Sequence, residues 1–260
     1  MNSVTRHRLN DLNRQFYSER AGEFDATRKH DWPGWQKTVD LLQPQPEGRT
    51  TRILDIGCGN GRFAHFLLGE HPIGTVDYTG VDQSRELLAV AESECVGGEG
   101  DSLRWQTLDL TSDEIGGAIL PDRFQLIVAF GLLHHIPSQE YRRRLISFMA
   151  DRLGAGGILV FTVWRFDQSE RFHSKIISWQ DYNRTAVERI DLQELEDGDY
   201  LMSFGDTRRS ARYCHAPDEA EISDLTASLG LERIARFLED GKTHDLNEYH
   251  VFMKTEKDLD

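Results

Sequence analysis

The chain is poor in cysteine and in basic charge, and it has no long apolar run. Its three cysteines, Cys58, Cys95 and Cys214, are widely spaced and odd in number. That argues against a disulfide framework and against a zinc site, and no metal is expected. No segment approaches the ~20 apolar residues of a transmembrane helix. Met1–Phe16 is polar and charged and lacks the apolar core of a secretory signal. The expected setting is the cytoplasm, with reduced thiols and no membrane partner. Lys and Arg number 30 against 44 Asp and Glu, a net charge of -14, which counts against nucleic acid as a bulk electrostatic partner. A local basic patch remains open as an exception, with Arg208, Arg209, Arg212 and His215 as candidates.

What is present suffices for a core. Hydrophobic residues make up 38% of the chain and there are five Trp, while a mean hydropathy of -0.53 fits a soluble protein. A length of 260 residues suits one large α/β domain with additions.

The chain is organised around Ile53-Leu54-Asp55-Ile56-Gly57-Cys58-Gly59-Asn60-Gly61-Arg62-Phe63. An apolar run carrying a carboxylate turns on three glycines and resumes at helical spacing (Phe63, Phe66, Leu67), which predicts a buried strand, a tight loop and a helix. Before it, residues 6–20 are predicted to be helical, with Leu9, Leu12 and Phe16 on one face. A second helix is expected from Pro33 to Leu42, and residues 44–48 as a linker. Trp32 and Trp35 either pack this region or wall a substrate cleft.

After the first strand (51–56) and helix (62–68), strands are predicted at 78–82, 103–108, 124–130 and 158–164. Ser84 and Ser138 are expected to cap helices at 85–94 and 139–153, with Gly154–Gly157 breaking the second. Asp113–Pro121 reads as a loop with a short helical turn. Residues 165–215 are too long for an ordinary connection, and their aromatic content argues for order. A helix at 217–229, stopped at Gly230, precedes two strands, 231–238 and 248–255, that form a terminal hairpin. The expected fold is α/β: a Rossmann-like, seven-stranded, mostly parallel sheet with a C-terminal antiparallel hairpin and helices on both faces. Three units are expected: an N-terminal helical arm or lid (1–48), a core (49–164 and 216–260), and a substrate-side insertion (165–215).

Two nucleotide-loop signatures are missing. The dinucleotide fingerprint wants its third glycine at position 62, which is Arg62, and no Lys-Ser or Lys-Thr follows as in a phosphate loop. A nicotinamide-dependent oxidoreductase is thereby disfavoured. G-x-G-x-G after an acid-bearing strand, with Asp82 ending the second strand and Asp109 following the third, resembles the class I S-adenosylmethionine-dependent methyltransferases. That resemblance implies S-adenosylmethionine as cofactor. Asp55, Gly57, Cys58, Gly59, Asn60 and Gly61 would lie at its methionine end, Asp55 taking part in anchoring the ammonium. Asp82 and Gln83 would lie at the ribose, Asp109 and Leu110 at the adenine, and Phe130 and His135 beside the pocket. Phe63, Phe66 and Phe130 read first as core. His134 and His135 follow the fourth strand; one could act as a base, or His135 could be structural with His134 lining the cofactor pocket.

Further segments carry a narrower likeness: Leu9-Asn10…Phe16-Tyr17…Phe24…Thr27-Arg28…Trp32…Trp35, Val163-Trp164…Gln168, and Arg212-Tyr213-Cys214-His215. They resemble the tRNA methyltransferases that esterify carboxymethyluridine at the wobble position, and their bacterial homologues. Cys214 departs from that family's Arg-Tyr-Tyr-His. The resemblance implies Arg28, Arg165 and Arg212 as cations for the acceptor, and Tyr213 and His215 as groups that stack on it or pack the insertion. It also implies tRNA as partner and a small zinc-binding activator protein. The alternatives are a small-molecule or metabolite methyl acceptor, favoured by the net charge and Cys214, and a non-catalytic cofactor-binding partner subunit.

Overall fold

A computed structural model describes residues 1–26, 30–42, 49–69, 73–112, 115, 120, 123–204 and 207–255, with 20–26 and 207–210 described by backbone alone. Arg28, the linker at 44–48 and most of Asp113–Pro121 lie outside the described residues, as do the side chains of Arg208 and Arg209.

Seven strands form the main sheet: β1 (Thr51–Ile56), β2 (Val76–Asp82), β3 (Ser102–Thr107), β4 (Phe124–Ala129), β5 (Leu153–Trp164), β9 (Leu231–Glu239) and β10 (Asn247–Lys254). Their order is β3-β2-β1-β4-β5-β10-β9. β1 to β5 are mutually parallel, and β10 lies antiparallel between β5 and β9. β1 and β4 are almost wholly buried, as strands covered on both faces must be. On one face Leu54, Ile56 and Ile127 meet α5 (Gln139–Arg152) and α8 (Glu219–Thr226). On the other, Ile53, Leu126 and Val128 meet Trp35 of α2 (Pro33–Val39) and Phe63 and Phe66 of α3 (Arg62–Leu68). The helix α4 (Arg85–Glu94) follows β2, and the Ser84 hydroxyl caps it by accepting from Leu87 N–H.

Several expected boundaries move. α1 runs Ser3–Ala26, longer than 6–20, because Asn2 Oδ1 accepts from Thr5 N–H and starts the helix early. β5 begins at Leu153 and carries Gly154–Gly157 inside it as an irregular edge against Phe124, so those glycines do not separate helix from strand. The backbone of Ser138 takes φ 77 and its side chain does not cap α5. α8 starts two residues late, where the Asp218 carboxylate accepts from Glu221 N–H. Within 165–215 lie α6 (Glu170–His173), α7 (Trp179–Thr185) and a separate antiparallel sheet. That sheet comprises β6 (Ile176–Ile177), β7 (Asp199–Phe204) and β8 (Thr207–His215), and β8 lies against α1.

Candidate active site

The C-terminal ends of β1, β2 and β4 open into a chamber. It sits where the strand order reverses between β1 and β4, the usual crevice of open α/β sheets. Gly57 and Gly59 form its floor, Asp82, Gln83 and Leu87 one side, and Leu110 and Thr111 a second. Phe130, Leu132 and His135 form a third side, and Asn10, Asn13 and Tyr17 of α1 complete the lining.

Local geometry explains the glycines. Gly59 has φ 56, and a Cβ there would meet nothing nearer than Leu87 Cδ1 at 4.0 Å, so it would stand in the chamber. Gly61 has φ 79, and its added Cβ would come within 2.9 Å of Ala91 Cβ and Cys95 Sγ. One glycine keeps the chamber clear and the other lets α4 close on the loop. Asp82 receives Gly59 N–H at 3.0 Å and Ser84 N–H at 2.9 Å. Burial pushes its carboxyl up, and those N–H donors pull against the rise. A carboxylate offers about four acceptor positions, so the group keeps capacity to accept a ligand hydroxyl. A cleared floor, a strand-end carboxylate and an apolar side chain at Leu110 are a donor set that fits S-adenosylmethionine.

Not every expected residue faces this chamber. Asp55 is buried, shares the face of Ile53, and accepts the Tyr78 hydroxyl at 2.5 Å. Burial lifts its carboxyl to about 7, against the lowering effect of the Tyr78 bond. Cys58 is buried against Gly80, its thiol pushed up by burial. Cys58, Asn60 and Gly61 are in the turn without lining the chamber. Asp109 stands at the rim, where Arg14 Nη2 pairs with it at 3.0 Å and Thr111 N–H donates to it at 2.9 Å.

Gly131 also borders a second, more open chamber. Trp32, Trp164, Phe172 and Phe204 supply aromatic walls, and Arg62, Arg171, Arg212 and Lys242 supply cations, against one acid among the described residues, Asp31. Arg212 is buried between the rings of Phe16 at 5.0 Å and Trp164 at 4.9 Å. Trp35 packs in the core while Trp32 lines the chamber, so the tryptophan pair divides between the two expected roles. His134 faces this second chamber and His135 the first, the reverse of one expected arrangement. His135 Nδ1 lies 3.1 Å from the Tyr213 carbonyl, an acceptor, so the proton resides there and Nε2 accepts the Tyr17 hydroxyl at 2.6 Å.

Arg165, Tyr213 and His215 are turned elsewhere. Arg165 bonds Gln168 and faces Glu248 of the neighbouring β10 at 3.8 Å. Tyr213 is fully buried and donates to Asp199 at 2.6 Å. His215 bridges Asp199 at 2.7 Å and Glu221 at 2.8 Å. Arg142, fully buried, reaches Glu196 and Glu221 at 2.7 and 2.6 Å. This network joins the insertion to α5 and α8, so neither ring is available to stack on an acceptor. Arg212 and His215 are likewise buried and do not form a surface basic patch. Cys214 is buried in the insertion's own core with Phe166 and Met202.

Asn13, Thr111, Arg171 and Lys242 were not singled out by local pattern, and Asn10 and Tyr17 entered only through the narrower resemblance, with no role assigned. The α1 residues could have been found from helical spacing, since 10, 13 and 17 share a face.

A family model described as a methyltransferase domain matches residues 8–234. The chain is 26% identical over 172 residues to a tRNA (carboxymethyluridine(34)-5-O)-methyltransferase of Arabidopsis thaliana, covering 66% of this chain and 37% of that protein. It is 28% identical over 219 residues to a malonyl-[acyl-carrier protein] O-methyltransferase of Paenibacillus, covering 81% and 75%. The chain spans about a third of the length of the tRNA methyltransferases it matches. Among solved structures, N-methyltransferase NodS of Bradyrhizobium japonicum in complex with S-adenosyl-L-homocysteine is similar at TM-score 0.55 and 19% identity. The match covers 95% of this chain and 98% of that one.

Proposed function

The chain belongs to the methyltransferase-domain family, the class I enzymes that use S-adenosylmethionine, and from that premise we propose that it methylates a carboxylate oxygen. The acceptor we favour is the carboxylate of a carboxymethyl-modified wobble uridine in tRNA. The observation that carries this reading is the second chamber, where, among the described residues, four cations and one acid line a cleft in a protein of net charge -14. Two relatives support it through their names, since carboxymethyl and malonyl groups both end in a carboxylate. The malonyl relative keeps a second acceptor in play, a small acid.

S-adenosylmethionine supplies an electrophilic methyl group on a sulfonium. Gly57, Gly59, Asp82, Leu110 and Phe130 would hold it in the first chamber. A carboxylate acceptor is ionised at neutral pH and needs no base, so His134 need not remove a proton. Arg212, with Arg62, Arg171 and Lys242, would neutralise and orient the acceptor, guanidinium meeting carboxylate bidentately. The Trp32, Trp164 and Phe204 walls would exclude water at Gly131. Catalysis then rests on positioning, which contributes about 7–11 kcal/mol in well-oriented systems.

The deciding experiment incubates labelled S-adenosylmethionine with the protein and, in parallel, total tRNA and a metabolite extract. Base-labile label in tRNA is expected, as for an ester. Label confined to the metabolite fraction moves the acceptor to a small acid. Base-stable label ends the carboxylate reading.

A further inference from the structure

The two chambers have different linings, and among the described residues Gly131 is the one that belongs to both. It is the second residue after β4 and is only partly buried, so its surface is open. Its backbone is held in place. φ is 67, in the left-handed region that favours glycine, and its N–H donates to Thr162 Oγ1 at 2.7 Å. Thr162 is fully buried in β5, so the anchor lies within the main sheet.

Trp32 stands across from it. A Cβ added at Gly131 would lie 3.3 Å from Trp32 Cη2, closer than the roughly 3.5–4.0 Å at which carbon atoms pack. Among the described residues, chain neighbours aside, no other atom comes within 4 Å of that position. The gap between Gly131 and the Trp32 ring therefore admits about one carbon atom. Trp32 is itself braced, its ring centroid 5.5 Å from that of Trp35. Methyl transfer needs the reacting atoms within about 3–3.5 Å of each other. Molecules held in the two chambers can react only where the chambers meet.

We propose that Gly131 and Trp32 form the port through which the methyl group passes, and that its width selects methyl over larger alkyl groups. The inference rests on the cofactor reading of the first chamber and the acceptor reading of the second. An acceptor carboxylate oxygen forms the new O–C bond as the C–S bond breaks, and the electron pair of that bond stays on sulfur. The products are a neutral ester and S-adenosylhomocysteine, and no proton moves. A side chain at position 131 would fill the space that the carbon needs. Gly131 is thus a specificity-determining residue, and Trp32 sets the opposite rim.

The test uses the full chain and three ligands that differ only at sulfur: S-adenosylhomocysteine with no transferable alkyl group, S-adenosylmethionine with methyl, and S-adenosylethionine with ethyl. Calorimetry without acceptor reads the port from the cofactor side. Gly131→Ala should bind S-adenosylhomocysteine within threefold of wild type. Its loss should grow along the series, reaching at least tenfold, about 1.4 kcal/mol, for S-adenosylethionine. Equal changes for all three ligands overturn the proposal, as does no change for any. Trp32→Ala widens the gap and leaves residue 131 as it is. It should bind S-adenosylethionine more tightly relative to S-adenosylhomocysteine than wild type does. With total tRNA and metabolite extract as acceptors, it should also raise the ratio of ethyl to methyl transferred at least tenfold, whatever the total rate. An unchanged ratio together with unchanged relative affinity overturns the proposal, even if thermal unfolding shows that Gly131→Ala does not fold. Failure of wild type to bind S-adenosylhomocysteine overturns the cofactor reading and the port with it. A different acceptor in the labelling experiment changes the acceptor reading alone, because the affinities are measured without acceptor.

Discussion

The Tyr17 hydroxyl lies 2.6 Å from His135 Nε2, and their rings meet edge to face with centroids 5.4 Å apart. One bond links α1 to the segment that leaves β4 and fixes the tautomer of His135, whose Nδ1–H is engaged by the Tyr213 carbonyl. The first chamber therefore takes its shape from three distant parts of the chain.

Tyr17→Phe keeps the ring contact and removes the hydroxyl. A loss of about 1 kcal/mol in stability is expected, the usual worth of one such bond. S-adenosylhomocysteine affinity should weaken at the same time. Denaturant unfolding and calorimetry measure the two, and unchanged values in both would mean that the bond does not hold the chamber.

Arg212→Ala should lower methyl transfer at least tenfold while S-adenosylhomocysteine affinity stays within threefold, about 0.7 kcal/mol. Arg212→Lys should recover little, because an ammonium cannot replace a guanidinium stacked between Phe16 and Trp164. Asp82→Ala should behave oppositely, abolishing cofactor binding first. Loss of cofactor binding in R212A would place the second chamber wrongly.

Asp55→Asn should change how stability depends on pH. The folded carboxyl titrates near 7, above the ordinary 3.8, because it is buried. A raised value means that its contribution is fully present below about pH 4 and is lost as pH rises through 7. The amide can keep the Tyr78 bond and never ionises. The Asp55→Asn protein should therefore exceed wild type at pH 8, by at most a few kcal/mol, with the gap closing toward pH 4. Parallel denaturation curves that never converge would contradict this.

The network around His215 should show the reverse acid limit as well as an alkaline one. Burial alone would lower its pKa, but bonds to Asp199 and Glu221 outweigh burial and raise it. With a carboxylate on each ring nitrogen, both must carry protons. That stabilisation is complete below about 6.5 and fades as pH rises through the raised folded value. For Glu221 burial would raise the value, but His215 and Arg142 together lower it, so its share fades as pH falls below the ordinary 4.5. Removing the buried Arg142 should cost about 3–5 kcal/mol, since it leaves the half-buried Glu196 and Glu221 without their guanidinium partner. A neutral effect of Arg142→Ala on the melting temperature would contradict the assignment.

The strand–glycine–helix pattern at 53–67, the acids at 82 and 109, and the closing hairpin were legible from residue order. Each is a local signal, set by backbone conformation and by a period of two or 3.6 along one segment. The family follows from those signals together. Where the side chains of Asp55, Tyr213 and His215 point was not legible, because an acid or aromatic beside a strand end serves a site or a buried network equally well by spacing. The partner decides, and Tyr78, Asp199 and Glu221 come from other strands and helices. The same holds for the cationic chamber, assembled from Arg62, Arg171, Arg212 and Lys242, which span 180 residues of chain. Sequence by itself determined the sheet, its glycine loop and the cofactor class. Tertiary packing decided which polar groups are spent on the protein, like His215, and which, like Asp82, line the chamber, because burial and pairing are relations between elements that no single stretch contains.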